Sequence, residues 1–215
     1  MKENLQRDIE VLRRQVEELG AESVAISARN IVVDERVPFK CQVPRCAFYN
    51  FNLTCPPNIM TPREFKGLLK KYHRGIIIKV QIETHDFSGE QPNNLNTAWE
   101  NINKTSPITI PEANNNYLYS LKNGQTRLYD ILEKIEAKCV QMGYHFAAGL
   151  AAGGCSLCEV CVGIGSGTMC PHPFKARPSI EGLGIDVLAT TKKVGLNINF
   201  SAEGTRSWVG MVLVD

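Results

Sequence analysis

Thr61-Pro62-Arg63-Glu64, followed at Gly75-Ile76-Ile77-Ile78-Lys79-Val80-Gln81-Ile82 by a run of branched apolar residues, is the stretch that decides the fold class. Thr61 suits a helix N-cap, Pro62 fills the first helical position, where no amide hydrogen is needed, and Glu64 can reach back to close a capping box. The spacing predicts a helix to about His73. Gly75 breaks it, and residues 76–82 predict a largely buried strand. A capped helix feeding a buried strand means helices layered on a sheet, in an α/β or α+β fold.

Upstream, Leu5, Ile9, Leu12, Val16 and Leu19 recur at alternating spacings of four and three, and Gly20 follows as a stop. Residues 1–20 therefore predict an N-terminal amphipathic helix packed on its own domain. The heptad-like seam leaves a homodimer through this helix as the alternative, although so few heptads rarely hold a coiled coil alone. Ile31-Val32-Val33 predicts a strand.

Downstream, Leu128, Ile131, Leu132, Ile135, Cys139 and Met142 share one helical face that ends at Gly143. Residues 145–152, apolar and small, predict a central strand approached closely by other backbone. Ser179 is expected to cap a helix through about Lys193, with closing strands at 196–200 and 208–214 joined by a turn at Gly204. The architecture expected is a mixed β-sheet flanked by helices, with residues 21–215 as one domain. A polar excursion rich in Asn, Pro, Ser and Thr interrupts it at about 88–116, with Trp99 packing down.

At 215 residues, 43% hydrophobic and 21% charged, the chain is long enough for a sizeable core. A net charge of +2 gives no reason to expect nucleic acid or an anionic membrane as partner, and no apolar run is long enough to span a bilayer. The charged N-terminus lacks the apolar middle of a signal peptide, which points to the cytoplasm. In that reducing compartment the eight cysteines read as metal ligands or catalytic thiols rather than as disulfides.

Cys155-Ser156-Leu157-Cys158-Glu159-Val160-Cys161 places three thiols behind two consecutive two-residue spacers, and Cys170-Pro171 follows. One loop of this kind can offer three thiolates to three iron corners of a 4Fe–4S cubane while a fourth arrives from farther along, as in bacterial ferredoxins. The intervening Gly163, Gly165 and Gly167 suit close approach of backbone amides to sulfur. Zinc is the competing metal. It usually takes two separated pairs of cysteines, and three in seven residues crowd a tetrahedral ion. Cys41, Cys46 and Cys55 form a second, looser group with three local thiols; Phe48, Tyr49 and Phe51 beside them can shield a cluster or simply pack. Cys139 falls on a helix stripe, where a core thiol is the default, with a ligand role as the alternative. His172, next to Cys170-Pro171, is the histidine placed to touch a cluster. His85-Asp86 reads as a solvated pair.

The motifs Lys40-Cys41, Cys46, Cys55-Pro56-Pro57 and Thr61-Pro62, then Cys155, Cys158, Cys161 and Cys170-Pro171-His172-Pro173, then Ala176-Arg177-Pro178-Ser179-Ile180-Glu181-Gly182-Leu183-Gly184-Ile185-Asp186-Val187 occur in fixed order. In them the chain resembles a family of predicted metal-binding proteins from anaerobic bacteria and archaea, over roughly residues 20 to 215. The resemblance implies a cysteine-bound metal site of iron–sulfur type, resting on the seven cysteines other than Cys139, with no reaction assigned. The long Asn-rich stretch before residue 117 is where the chain departs most from the pattern.

These features lead to an iron–sulfur protein with one or two 4Fe–4S clusters, ligated by Cys41, Cys46, Cys55, Cys155, Cys158, Cys161 and Cys170. Its expected role is electron transfer to or from a partner enzyme. Two alternatives stand beside it: a redox enzyme using an open iron of the first cluster, and a structural zinc-binding module. Arg63, Lys66, Lys70, Lys71 and Arg74 give one helix a basic face, read as solvated or as a dock for an acidic redox partner. Lys175, Arg177 and Ser179 precede an expected helix N-terminus, where an anion could sit; a structural cap is the plainer reading.

Overall fold

The isoleucines at 76–78 have no polar alternation, so a strand made from them must be covered on both faces. The computed structural model, which describes residues 2–84, 112–198 and 204–215, places them at the middle of the sheet. Five α-helices and four strands are described: α1 (Lys2–Glu18), β1 (Glu22–Ser27), α2 (Arg36–Gln42), α3 (Pro62–Leu69), β2 (Arg74–Thr84), α4 (Glu112–Gln141), β3 (Ala148–Ala151), α5 (Val187–Lys192) and β4 (Gly204–Val214). The sheet order is β1-β2-β4-β3, and every strand pairing is antiparallel. The fold is α+β, and the sheet is antiparallel where a mixed one was expected. None of the helices described is long and apolar enough to cross a membrane.

Alternation along β2 sends Ile76, Ile78 and Val80 to one face and Ile77 to the other. On the first face they meet Val212 and Val214 of β4, Ile9, Leu12 and Val16 of α1, and Leu128, Leu132 and Ile135 of α4. The seam of α1 is thus buried against the chain's own sheet. On the second face Ile77, Met211 and Leu213 pack on Phe65 and Leu69 of α3 and on Ile180, Leu183 and Ile185. Each fully buried side chain of this size stabilises by about 1.5–3 kcal/mol relative to exposure. Gly20, in the left-handed region at φ 76°, ends α1, and Arg127 Nη2 donates to the Leu19 and Gly20 carbonyls at 3.1 and 2.7 Å.

The capping box is present: Glu64 N donates to Thr61 Oγ1 at 3.3 Å and Thr61 N to Glu64 Oε2 at 2.8 Å. The helix stops at Leu69, short of His73, because the chain must turn into the sheet and His73 N already donates to the Val214 carbonyl at 3.0 Å. Residues 31–33 make no strand. Val33 forms a single bridge with Ile185, while Val32 is held by Thr190 Oγ1 and by Asp186 N, so the partner segment leaves at once toward α5.

Of residues 145–152, four form β3, and it is an edge strand, not a central one. The close approach expected there comes from side chains, since Glu136 Oε1 accepts from Gly149 N at 2.6 Å. Ser179 caps a turn instead of a helix, accepting from Gly182 N at 3.1 Å. Gly184, at φ 84° and close against Pro62, ends that turn. The helix comes later, with Asp186 as its cap: Oδ1 accepts from Ala189 N at 2.9 Å. Residues 196–198 are irregular. The rest of that expected strand, most of the 88–116 excursion with Trp99, and His85-Asp86 lie outside the described residues.

Candidate metal centre

Short backbone turns wrap the first cysteine loop. Cys41 lies in the last turn of α2; Cys46 N donates to the Cys41 carbonyl at 2.9 Å and Tyr49 N to the Cys46 carbonyl at 3.0 Å. Cys55 N donates to the Asn52 carbonyl at 3.1 Å, and Asn50 N to the Pro56 carbonyl at 2.8 Å closes the loop on itself. The three thiols come within electrostatic reach of one another. Burial pushes the Cys41 thiol up to about 11, and the charges of Cys46 and then Glu181 add to it. Burial raises Cys55 further, with Cys46 and Cys41 contributing next. The Glu181 carboxylate, which acts on both, accepts from Gly153 N at 3.0 Å and Ser179 Oγ at 3.1 Å.

The second group lines one cleft. Cys155, Cys158, Cys161 and Cys170 face it together with Asn52, Leu53, Thr54 and His172, and it encloses about 330 Å³ including its open mouth. Cys158 is raised by desolvation first and then by the charges of Cys170 and Cys161, which places the distant fourth thiol beside the triplet. His172 N donates to Cys170 Sγ at 3.4 Å, a backbone contact, and His172 is among the residues lining the cleft.

The loops interlock. Asn52, 1% exposed, donates Nδ2 to the Cys155 carbonyl at 3.0 Å, while its Oδ1 accepts from Thr54 N at 3.1 Å and Thr54 Oγ1 at 2.9 Å. The Phe48 ring lies where a side chain on Gly154 would be, and the Phe51 ring lies against Gly163. These aromatics therefore join one loop to the other. From α4, Gln125 Nε2 donates to the Gly154 carbonyl at 2.9 Å, and Ser156 Oγ donates to Gln125 Oε1. Lys175 and Arg177 pair with Asp130 and Glu136 of α4, so they pin the flank of the second loop instead of lining an anion site.

Cys139 is apart from both groups. It is fully buried on α4 in the core, where desolvation, with lesser contributions from Glu136 and Asp215, pushes its thiol up to about 12. His73 and His145 are exposed and stand on other segments. Among the described residues no three His, Cys, Asp or Glu side chains converge on a point the size of a single ion.

Asn52, Gln125, Tyr129 and Glu181 were not singled out from the sequence. Gln125 and Tyr129 carried a signal, being polar or part-polar positions one turn apart on the apolar stripe that continues through Leu128 and Leu132. A family model described as "Predicted metal-binding protein (DUF2284)" matches residues 24–214. The chain belongs to this family. No curated protein matches it, and no solved structure does. The DUF2284 match begins inside β1 and ends at the last residue of β4, so it takes in the whole sheet core and both cysteine loops and leaves α1 outside. A metal-binding family accords with a donor set of thiols, half-buried apart from the buried Cys55, since soft thiolates select zinc, copper(I) and iron–sulfur clusters.

Proposed function

We propose that this metal-binding protein holds two 4Fe–4S clusters and passes single electrons to or from a partner protein in the cytoplasm. The observation that carries the reading is the cleft lined by Cys155, Cys158, Cys161 and Cys170. Four thiols from a two-residue-spaced triplet and one distant cysteine match the ligand requirement of a cubane. A single zinc ion draws its thiolates to about 2.3 Å from one centre, which three cysteines within residues 155–161 would crowd, whereas a cubane spreads them over separate irons. Cys155, Cys158, Cys161 and Cys170 hold one cluster, and Cys41, Cys46 and Cys55 hold three corners of the other. When bound, a cluster supplies a one-electron carrier. Val160, Ile164, Met169 and Phe174 are exposed around the second loop, Met169 and Phe174 at 87% each, which supports docking of a partner protein there.

A second reading is favoured by the remoteness of Cys139 and the nearness of Glu181. Three thiols with no fourth cysteine leave one corner of the first cluster to a non-cysteine group, for which Glu181 is the candidate. An exchangeable position of that kind would let the first site bind a small substrate. Protein purified without oxygen tests the first reading: brown colour with iron and acid-labile sulfide in equal amounts is expected, and stoichiometric zinc from iron-replete cells would sink it. The second predicts that cyanide or a small thiol changes the paramagnetic spectrum of the reduced protein.

A further inference from the structure

Tyr129 stands one turn of α4 beyond Gln125, and it is 1% exposed. Its ring packs in the core cluster with Leu128 and Leu132, a task phenylalanine performs equally well, so the hydroxyl is what needs an explanation. Among buried polar atoms its Oη makes no hydrogen bond of full geometry. Cys155 packs against the same core cluster as Tyr129, and the phenol and the Cys155 thiol act on each other, with Cys55 of the first loop also acting on the phenol. A thiol sulfur is a weak acceptor, whereas a metal-bound thiolate is a strong one. A metal-bound Cys155 thiolate would therefore offer the buried hydroxyl a strong acceptor.

We infer that Tyr129 donates its phenolic hydrogen to the metal-bound sulfur of Cys155 and so raises the reduction potential of the centre that Cys155 holds. A hydrogen bond to a ligand sulfur stabilises the negative charge that reduction adds, and so favours the reduced state. Gln125, by bonding the Gly154 carbonyl and Ser156, holds both residues that flank Cys155. Tyr129 is a positioning and tuning residue; the ligation is by Cys155. The inference rests on the cluster reading above.

The test compares the full chain with its Tyr129→Phe variant, both loaded with iron and sulfide without oxygen, by redox titration followed in visible absorbance and paramagnetic resonance. The variant is expected to keep its iron and sulfide. At a fixed potential its reduced-to-oxidised ratio should fall about tenfold, which is about 59 mV for one electron. The reduced wild type should show a proton, exchangeable in heavy water and coupled to the cluster, that the variant lacks. Ring-fluorinated tyrosine at position 129, a stronger donor in the same fold, should move the ratio the opposite way. A loaded variant with unchanged ratio and unchanged proton coupling overturns the inference and leaves the cluster reading intact. Should the phenylalanine variant fail to load, an unmoved ratio in the fluorinated protein overturns it equally. Wild type free of iron and sulfide overturns both.

Discussion

At Cys139 and Glu181 the neighbours of a side chain, and not its type, set what it can do. Cys139 belongs to the same buried core cluster as Ile135, Leu132 and Leu128 of its own helix, and neither cysteine group acts on it. Cys139→Ala should leave metal content unchanged and cost about 1 kcal/mol of stability, measured by iron analysis and denaturant unfolding. The alkaline limb gives a second readout. The buried thiol ionises at about 12 when folded, against its ordinary 9.0. The unfolded chain therefore releases that proton first, and the metal-free protein loses stability as pH rises from 9 toward 12. Cys139→Ala should make that loss shallower, and an identical slope in both proteins would show the thiol to be exposed. Glu181→Gln keeps the shape and removes the charge. If the carboxylate completes the first centre, this variant should alter the paramagnetic spectrum of one centre and spare the other. Neither role could be read from residue type, because a buried thiol and a ligand thiol share a letter and differ in neighbours.

At the scale of elements, the strongest local signals produced the elements they promised. α1, the capped α3, β2 and the stripe of α4 follow from spacing and capping that act within one or two turns. Local signals failed where a distant group claimed the same backbone. His73 was drawn into the sheet, Val32 was fixed by Thr190 and Asp186, and Ser179 took a turn that Gly184 closes. The two cysteine loops behave as one element because Asn52 satisfies both. Asn52→Ala leaves the Cys155 carbonyl and the Thr54 amide without their side-chain partner, and buried unpaired groups cost about 1–3 kcal/mol each. That variant should lower the melting temperature and weaken metal retention about 10–100-fold against a chelator, as loss of groups that orient ligands usually does. Thr61→Ala, by contrast, should cost about 1 kcal/mol through the cap alone and leave metal retention untouched.

For the whole molecule, the sheet and the cysteine loops are stabilised by different means. Both faces of β2 are covered by α1, α3, α4 and the 180–185 segment, whereas loops 41–55 and 155–170 are held by short turns and a few buried polar contacts. Anaerobic removal of metal should therefore lower the melting temperature and open the loops to proteolysis while far-ultraviolet circular dichroism keeps the sheet and helix signal, since thiolate–metal binding is coupled to local folding. Cys158→Ala should reproduce that pattern. Loops that resist protease equally with and without metal would show them to be stable on their own. By itself the sequence determined that helices layer on a sheet, the amphipathic and capped helices, the buried strand at 76–82 and the thiol-rich character of the site, because periodicity, caps and cysteine spacing act over short stretches of chain. Only the tertiary structure decided between α/β and α+β, and with it the antiparallel order, the edge position of β3, the union of two distant cysteine loops and the packing of Tyr129 and Cys155 in one cluster. Those outcomes depend on which distant groups reach the same backbone or the same buried space, and no local pattern encodes that competition.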